Sequence, residues 1–139
     1  MAEEKGFTID VSSKFEGWWR YNIALMCGCF NAVGERIGFV STEAHVADVG
    51  ANLKTKPAEV AADRKASLHT PPCDNIVLYI YLIPHTLPVD RAVDECRPFD
   101  MDLRICHNGH PLRTTKYPIN QWSGASFELK IEHGQQNEK

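Results

Sequence analysis

Apolar and polar residues alternate along much of the chain. "FTIDV" (residues 7–11) sets an apolar side chain at every second position, the period of a half-buried strand. "GWWRYNIALMCGCF" continues the pattern and predicts one long strand. Its apolar face carries Trp19, Tyr21, Ile23, Leu25, Cys27 and Cys29, and Trp18, Arg20, Asn22, Ala24 and Met26 fall on the other. "NAVG" reads as a turn and "RIGFVS" as a short strand after it.

The middle of the chain loses this period. "STEAHVADVGANL" reads as a loop or an irregular helical turn. "KPAEVAADRKASL" predicts a helix over residues 57–68, because Pro57 suits a first helical position and the alanines, Glu59, Arg64 and Lys65 are good helix formers. "HTPPCDN" ends it, since consecutive prolines cannot continue a helix.

"IVLYIYLI" (residues 76–83) is apolar at every position, as expected of a central strand covered on both faces. A long Pro-punctuated connection follows. "FDMDLRI" then alternates with Phe99, Met101, Leu103 and Ile105 inward, "PLRTTKY" answers it, and "SFELKIE" closes with Phe127, Leu129 and Ile131 on one face. The pattern predicts a mainly β fold, an antiparallel β-sandwich of about 6–7 strands with one short helix inserted mid-chain. An α+β arrangement, with the helix against one face of an antiparallel sheet, is the alternative.

"RICHNGHP" sits between two of these strands. Asn-Gly is the sequence of a type I′ hairpin turn, whose two central residues need positive φ. It sets His107 opposite His110, Ile105 opposite Leu112, Arg104 opposite Arg113 and Leu103 opposite Thr114. Cys106 then points away from His107, so these three residues do not converge on one ion. The cross-strand pair His107 and His110 remains a candidate site for a divalent metal, short of the third ligand that a catalytic zinc needs.

Other chemistry-bearing groups read as structure. Cys27 and Cys29 share their face with Trp19, Tyr21 and Leu25, which points to core packing over soft-metal binding. Asp90, Asp94, Glu95, Asp100 and Asp102 resemble oxygen ligands for calcium, but Arg91 and Arg97 interleave with them and no regular spacing appears. Aromatics beside amides are more suggestive of a surface: Trp18, Arg20 and Asn22 on one strand, and Tyr117 with Trp122 near the polar loop "INQWSG". These five are the expected partner or ligand contacts.

Composition narrows the function. The 139 residues match one domain, with residues 1–5 and 133–139 expected to fray. A net charge of −3 with no Lys/Arg run argues against nucleic acid. The longest apolar run is far short of the roughly 20 residues of a membrane-spanning helix. Five cysteines, an odd number, suit reduced thiols. The acidic N-terminus lacks a secretory pattern, so a cytoplasmic protein is expected if residue 1 is the native start. No phosphate loop, H-E-x-x-H or G-x-S-x-G motif occurs.

The expectation is therefore a non-catalytic binding or assembly module that takes a protein partner or a second copy of itself, without a cofactor. A metal-binding protein or metal-dependent enzyme using His107 and His110 is the first alternative. A carbohydrate-binding accessory domain stacking sugar on Trp122 is the second.

Overall fold

The computed structural model describes residues 6–60, 64–87 and 97–132. Among them, eight strands form two antiparallel four-stranded sheets. They are β1 (Phe7–Ser12), β2 (Tyr21–Phe30), β3 (Arg36–Ala44), β4 (Lys65–His69), β5 (Asn75–Pro84), β6 (Phe99–His107), β7 (His110–Ile119) and β8 (Ala125–Glu132). The first sheet has the order β4-β1-β6-β7 and the second β3-β2-β5-β8. The predicted termini, 1–5 and 133–139, lie outside the described residues, as do Asp90, Asp94 and Glu95 of the acidic segment.

The alternating positions meet between the sheets. Phe7, Ile9 and Val11 of β1 and Met101, Leu103 and Ile105 of β6 face Ile23, Leu25 and Cys27 of β2 and Ile76, Leu78 and Ile80 of β5 in one buried cluster. Each such side chain contributes roughly 1.5–3 kcal/mol by leaving water, which makes this layer the main source of stability.

The predicted mid-chain helix does not form among the described residues, which leave out 61–63 of it. Pro57–Val60 is a turn closed by the Val60 N–H on the Pro57 carbonyl, and Lys65–His69 is strand β4, paired in register with β1. "KASLH" has two periodicities available. As a strand it buries Ala66 and Leu68 and exposes Lys65 and His69, and pairing with β1 satisfies its backbone. Helix propensities of a few tenths of a kcal/mol yield to that tertiary gain. No α-helix packs on either sheet among the described residues, and the α+β alternative falls with it.

The short helix that does occur is a 3-10 turn, Glu16–Arg20, just before β2. It reverses the predicted roles of the neighbouring tryptophans, because three residues per turn break the two-residue alternation. Trp18 is fully buried, with its ring edge-on to Phe99 at 6.1 Å, while Trp19 is part-exposed. The indole N–H of Trp18 donates to the Arg64 carbonyl at 2.9 Å. In return the Arg64 guanidinium lies 5.4 Å from the Trp18 ring centre and donates to the carbonyls of Trp18 and Tyr21. Burial pulls the Arg64 pKa down to about 10, which leaves it charged at neutral pH.

The Asn108-Gly109 turn forms as predicted, with φ of 52° and 83° and His107 opposite His110. Beyond it the register differs. Cys106 faces Pro111, but Ile105 faces Arg113, Arg104 faces Thr114 and Leu103 faces Thr115. Leu112 is the extra residue of a β-bulge, so Arg104 and Arg113 are not opposed as the sequence predicts.

Candidate functional site

The two sheets differ on their outer sides. On the first, β4, β1, β6 and β7 set Lys65, Ser12, Asp102 and Lys116 in one cross-strand row, and Ser67, Asp10, Arg104 and Thr114 in the next. These groups satisfy one another: Ser67 donates to Asp10 at 2.6 Å and Lys116 to Asp102 at 2.6 Å. It is a solvated, charge-balanced face.

The outer side of the second sheet is apolar at its centre. The register places Glu43, Ala24, Tyr81 and Ser126 in one row, Ser41, Met26, Tyr79 and Glu128 in the next, and Phe39, Gly28, Val77 and Lys130 in a third. A fourth row runs Arg36, Phe30, Asn75 and Glu132. Tyr79, Tyr81, Val77 and Met26 are part-exposed, Phe39 is 53% exposed and Ile83 41%. Central strand β5 was expected to be covered on both faces. Only its inner positions Ile76, Leu78, Ile80 and Leu82 are buried.

This face also has relief. β2 presents the low residues Ala24 and Gly28, whereas β5 beside it presents Val77, Tyr79 and Tyr81. The Phe30 ring folds back over Gly28, so that a Cβ there would sit 3.2 Å from it. β2 is thus a shallow groove, low at Ala24 and Gly28, crossed between them by the part-exposed Met26 and floored at the Gly28 end by the Phe30 ring, and β5 is a ridge beside it. At one end the groove opens into a recess of about 280 Å³ lined by Asn22, Ala24, Glu43, His45, Val49 and Ile83. His45 pairs loosely with Asp48 at 3.6 Å on the recess wall.

The end of the groove is held by two polar anchors. Asn22 donates to the Ala47 carbonyl and accepts from the Val46 N–H, each at 2.7 Å, fixing the loop after β3. His85 is buried and uses both ring nitrogens. Nε2–H donates to the Trp19 carbonyl at 2.8 Å, so Nδ1 is the acceptor for the Thr86 hydroxyl at 2.7 Å. Thr86 in turn accepts the Leu53 N–H at 2.9 Å. Burial, reinforced by the Arg64 charge, pushes the His85 pKa below its usual value and keeps the ring neutral.

The five predicted contact residues scatter. Trp18 is a core residue and presents no surface to a partner, a correction that follows from the 3-10 turn. Tyr117 points between the sheets against Phe127, ring centres 4.9 Å apart. Arg20 stays part-exposed with its guanidinium 5.8 Å from the Trp19 ring. Asn22 lies on the apolar face at the recess, committed to the loop. Trp122 is part-exposed in a tight loop, where its N–H and that of Ser123 donate to Asn120 Oδ1. Gly124 of the same loop approaches the Leu82 carbonyl and Pro84, which brings Trp122 to the same end of β5.

Sequence reasoning missed Met26, Phe39, Val77, Tyr79 and Tyr81. Their signal was present in "IVLYIYLI", whose outward positions are as apolar as its inward ones. That pattern separates a doubly covered strand from one with an open apolar face only when the covering element is known.

The metal candidates are differently placed. His107 is buried against Phe7, ring centres 4.2 Å apart, and its Nε2–H donates to the Cys73 carbonyl at 3.1 Å. His110, across the turn, is exposed. No group of three or more His, Cys, Asp or Glu side chains able to hold a metal ion occurs among the described residues. Cys27 and Cys29 are fully buried free thiols. Burial and the neighbouring Cys73 push the Cys29 pKa up to about 11, which disfavours the thiolate that a soft metal or an electrophile needs.

No protein-family model and no curated protein matches the chain. Among solved structures, it is similar to the crystal structure of a DUF4425 family protein from Bacteroides ovatus ATCC 8483. Identity is 11% over 91% of this chain and 93% of that one, with a TM-score of 0.36, a likeness too slight to bear on function. No helix among the described residues is long and apolar enough to cross a membrane.

Proposed function

We propose that the chain is a non-catalytic β-sandwich module that docks onto a protein surface through the outer face of its second sheet. The observation that carries this reading is the asymmetry between the two outer faces. One is polar and charge-balanced, with Ser67 bonded to Asp10 and Lys116 to Asp102. The other exposes a contiguous stripe of Phe39, Met26, Val77, Tyr79, Tyr81 and Ile83 bordered by charge, and such rimmed apolar patches mark interaction sites.

Magnitudes support a protein-sized partner. Association costs about 4–15 kcal/mol in lost freedom, so a stable complex needs several side chains each contributing about 1.5–3 kcal/mol. The stripe supplies that number. Tyrosine is also favoured at such surfaces because it buries a large ring with few rotors while keeping a polar tip.

Oxidative footprinting tests the reading. Met26, Phe39, Tyr79 and Tyr81 should label readily in the dilute purified chain and be protected when the full chain is labelled inside cells. Equal labelling in both settings would remove the proposal.

A further inference from the structure

We infer that the occupant of this face is a second copy of the same chain, packed face to face about a two-fold axis that runs parallel to the strands, midway between β2 and β5. The inference rests on the reading of the face given above.

Rotation about such an axis keeps every row in place and exchanges left for right. β2 of one copy then lies over β5 of the other, and β3 over β8. The ridge of one copy fills the groove of its partner: Tyr81 meets Ala24, Tyr79 meets Met26, and Val77 meets the Phe30 ring over Gly28. A two-fold axis across the strands would instead set ridge on ridge and groove on groove, leaving voids that a close-packed interface does not tolerate.

The borders obey the same operation. In the fourth row Arg36 of one copy faces Glu132 of the other, and in the third Phe39 faces Lys130, a cation over an aromatic ring. In the second and first rows Ser41 faces Glu128 and Glu43 faces Ser126, so no two like charges are brought together. Every contact occurs twice, as an isologous interface requires. Strands of the two sheets would run nearly parallel, the arrangement in which twisted sheets stack at about −30°.

The area is sufficient. Four strands at about 4.8 Å spacing and nine residues at about 3.4 Å give a flat face of roughly 600 Å² per copy, which meets the lower bound for a specific interface of about 1,200 Å² in total.

Sedimentation equilibrium of the full chain, from about 1 to about 500 µM, tests the inference. The expected mass rises from that of a 15.7 kDa chain towards twice that value. Tyr79→Ser, which removes two central contacts at once, raises the dissociation constant by about a hundredfold or more. Arg36→Glu raises it by about tenfold, because two attractive pairs become repulsive, and the double variant Arg36→Glu with Glu132→Arg restores it. Circular dichroism confirms that each variant is folded.

A mass of one chain at every concentration would overturn the inference. If Met26 and Tyr79 are nonetheless protected in cells, the contact-face reading stands with a different protein as occupant. If they are unprotected there, both fall. Self-association that the double charge reversal does not restore would overturn the proposed axis.

Discussion

The outer face of the first sheet and the outer face of the second are built from the same backbone and differ in what their side chains still need. Asp10, Ser67, Asp102 and Lys116 have found partners within their own sheet. Tyr79, Tyr81, Phe39 and Met26 have no such means, since an apolar surface is satisfied only by exclusion of water. Alternation along a strand states which residues share a side. It does not state whether that side is finished.

The comparison of outer faces presumes that stability resides in the layer between them, and the largest expected effect tests this. Trp18→Ala should cost about 3–5 kcal/mol of unfolding free energy, read from urea midpoints, because it empties a fully buried indole site beside Phe99 and Tyr21. If that variant fails to fold, Trp18→Phe retains most of the bulk but loses the N–H donated to Arg64, and should cost about 1–2 kcal/mol. A loss below about 0.5 kcal/mol in both would return Trp18 to the surface role expected from alternation.

That residue also marks the limit of what the sequence discloses. β1, the inner face of β2, β6 and β8 were legible because apolar and polar residues alternate through them, β5 because a run of eight rich in aromatic and β-branched residues favours a strand, and the Asn108-Gly109 turn, with β7 answering β6 across it, because positive φ restricts its sequence. Trp18 and Trp19 were exchanged because the five-residue 3-10 turn Glu16–Arg20 interrupts that period, with Gly17 as its only local sign ahead of a run that otherwise alternates. β4 was hidden behind its own alanines and lysine, whose helical preference is local, whereas its pairing partner β1 is more than fifty residues away. The bulge at Leu112 follows Pro111, a residue that edge strands and bulges both admit, so the sequence does not single it out. The apolar face escaped notice for a more general reason: covering is a property of the whole fold, and "IVLYIYLI" records only a strand's own hydrophobicity.

A second test works on the faces directly. At concentrations where the chain is single, Tyr79→Ser and Tyr81→Ser should change stability by no more than about 1 kcal/mol each, since only neighbouring side chains on the same face lose contacts. Assembly should collapse in the same variants. Arg104→Ser on the polar face should shift stability by less than about 0.5 kcal/mol and leave mass unaltered. The comparison breaks if the two tyrosines prove as costly to the folded single chain as a core residue.

The loop at the end of the apolar face should respond to pH through His85. Its folded-state pKa lies below the unfolded value of about 6.5, so above that pH neither state binds the proton and stability is constant. As pH falls below it, the unfolded chain takes up a proton that the buried ring resists, and stability declines until the lowered folded value is reached. Urea midpoints from pH 8 to pH 5 should therefore fall more steeply for the wild type than for His85→Gln. Identical slopes would show that the chain from Leu53 N–H through Thr86 to His85 does not depend on a neutral imidazole.

The smallest effect is expected where the contacts look strongest. Asp102 accepts from Lys116 at 2.6 Å, and that hydrogen bond, with the nearby Asp100 charge, raises the lysine pKa. A raised lysine contributes stability that is present below its unfolded pKa and lost only as pH climbs through the folded one, in the alkaline range. Lys116 is exposed, however, so water and salt already stabilise its charge. Asp102→Asn should leave the urea midpoint unchanged between pH 6 and 8, with and without added salt, and should leave mass unchanged as well. A clear loss that salt abolishes would mean the polar face holds the fold by its ion pairs. The two outer faces would then differ in kind of contribution, and the first would no longer be merely the satisfied counterpart of the second.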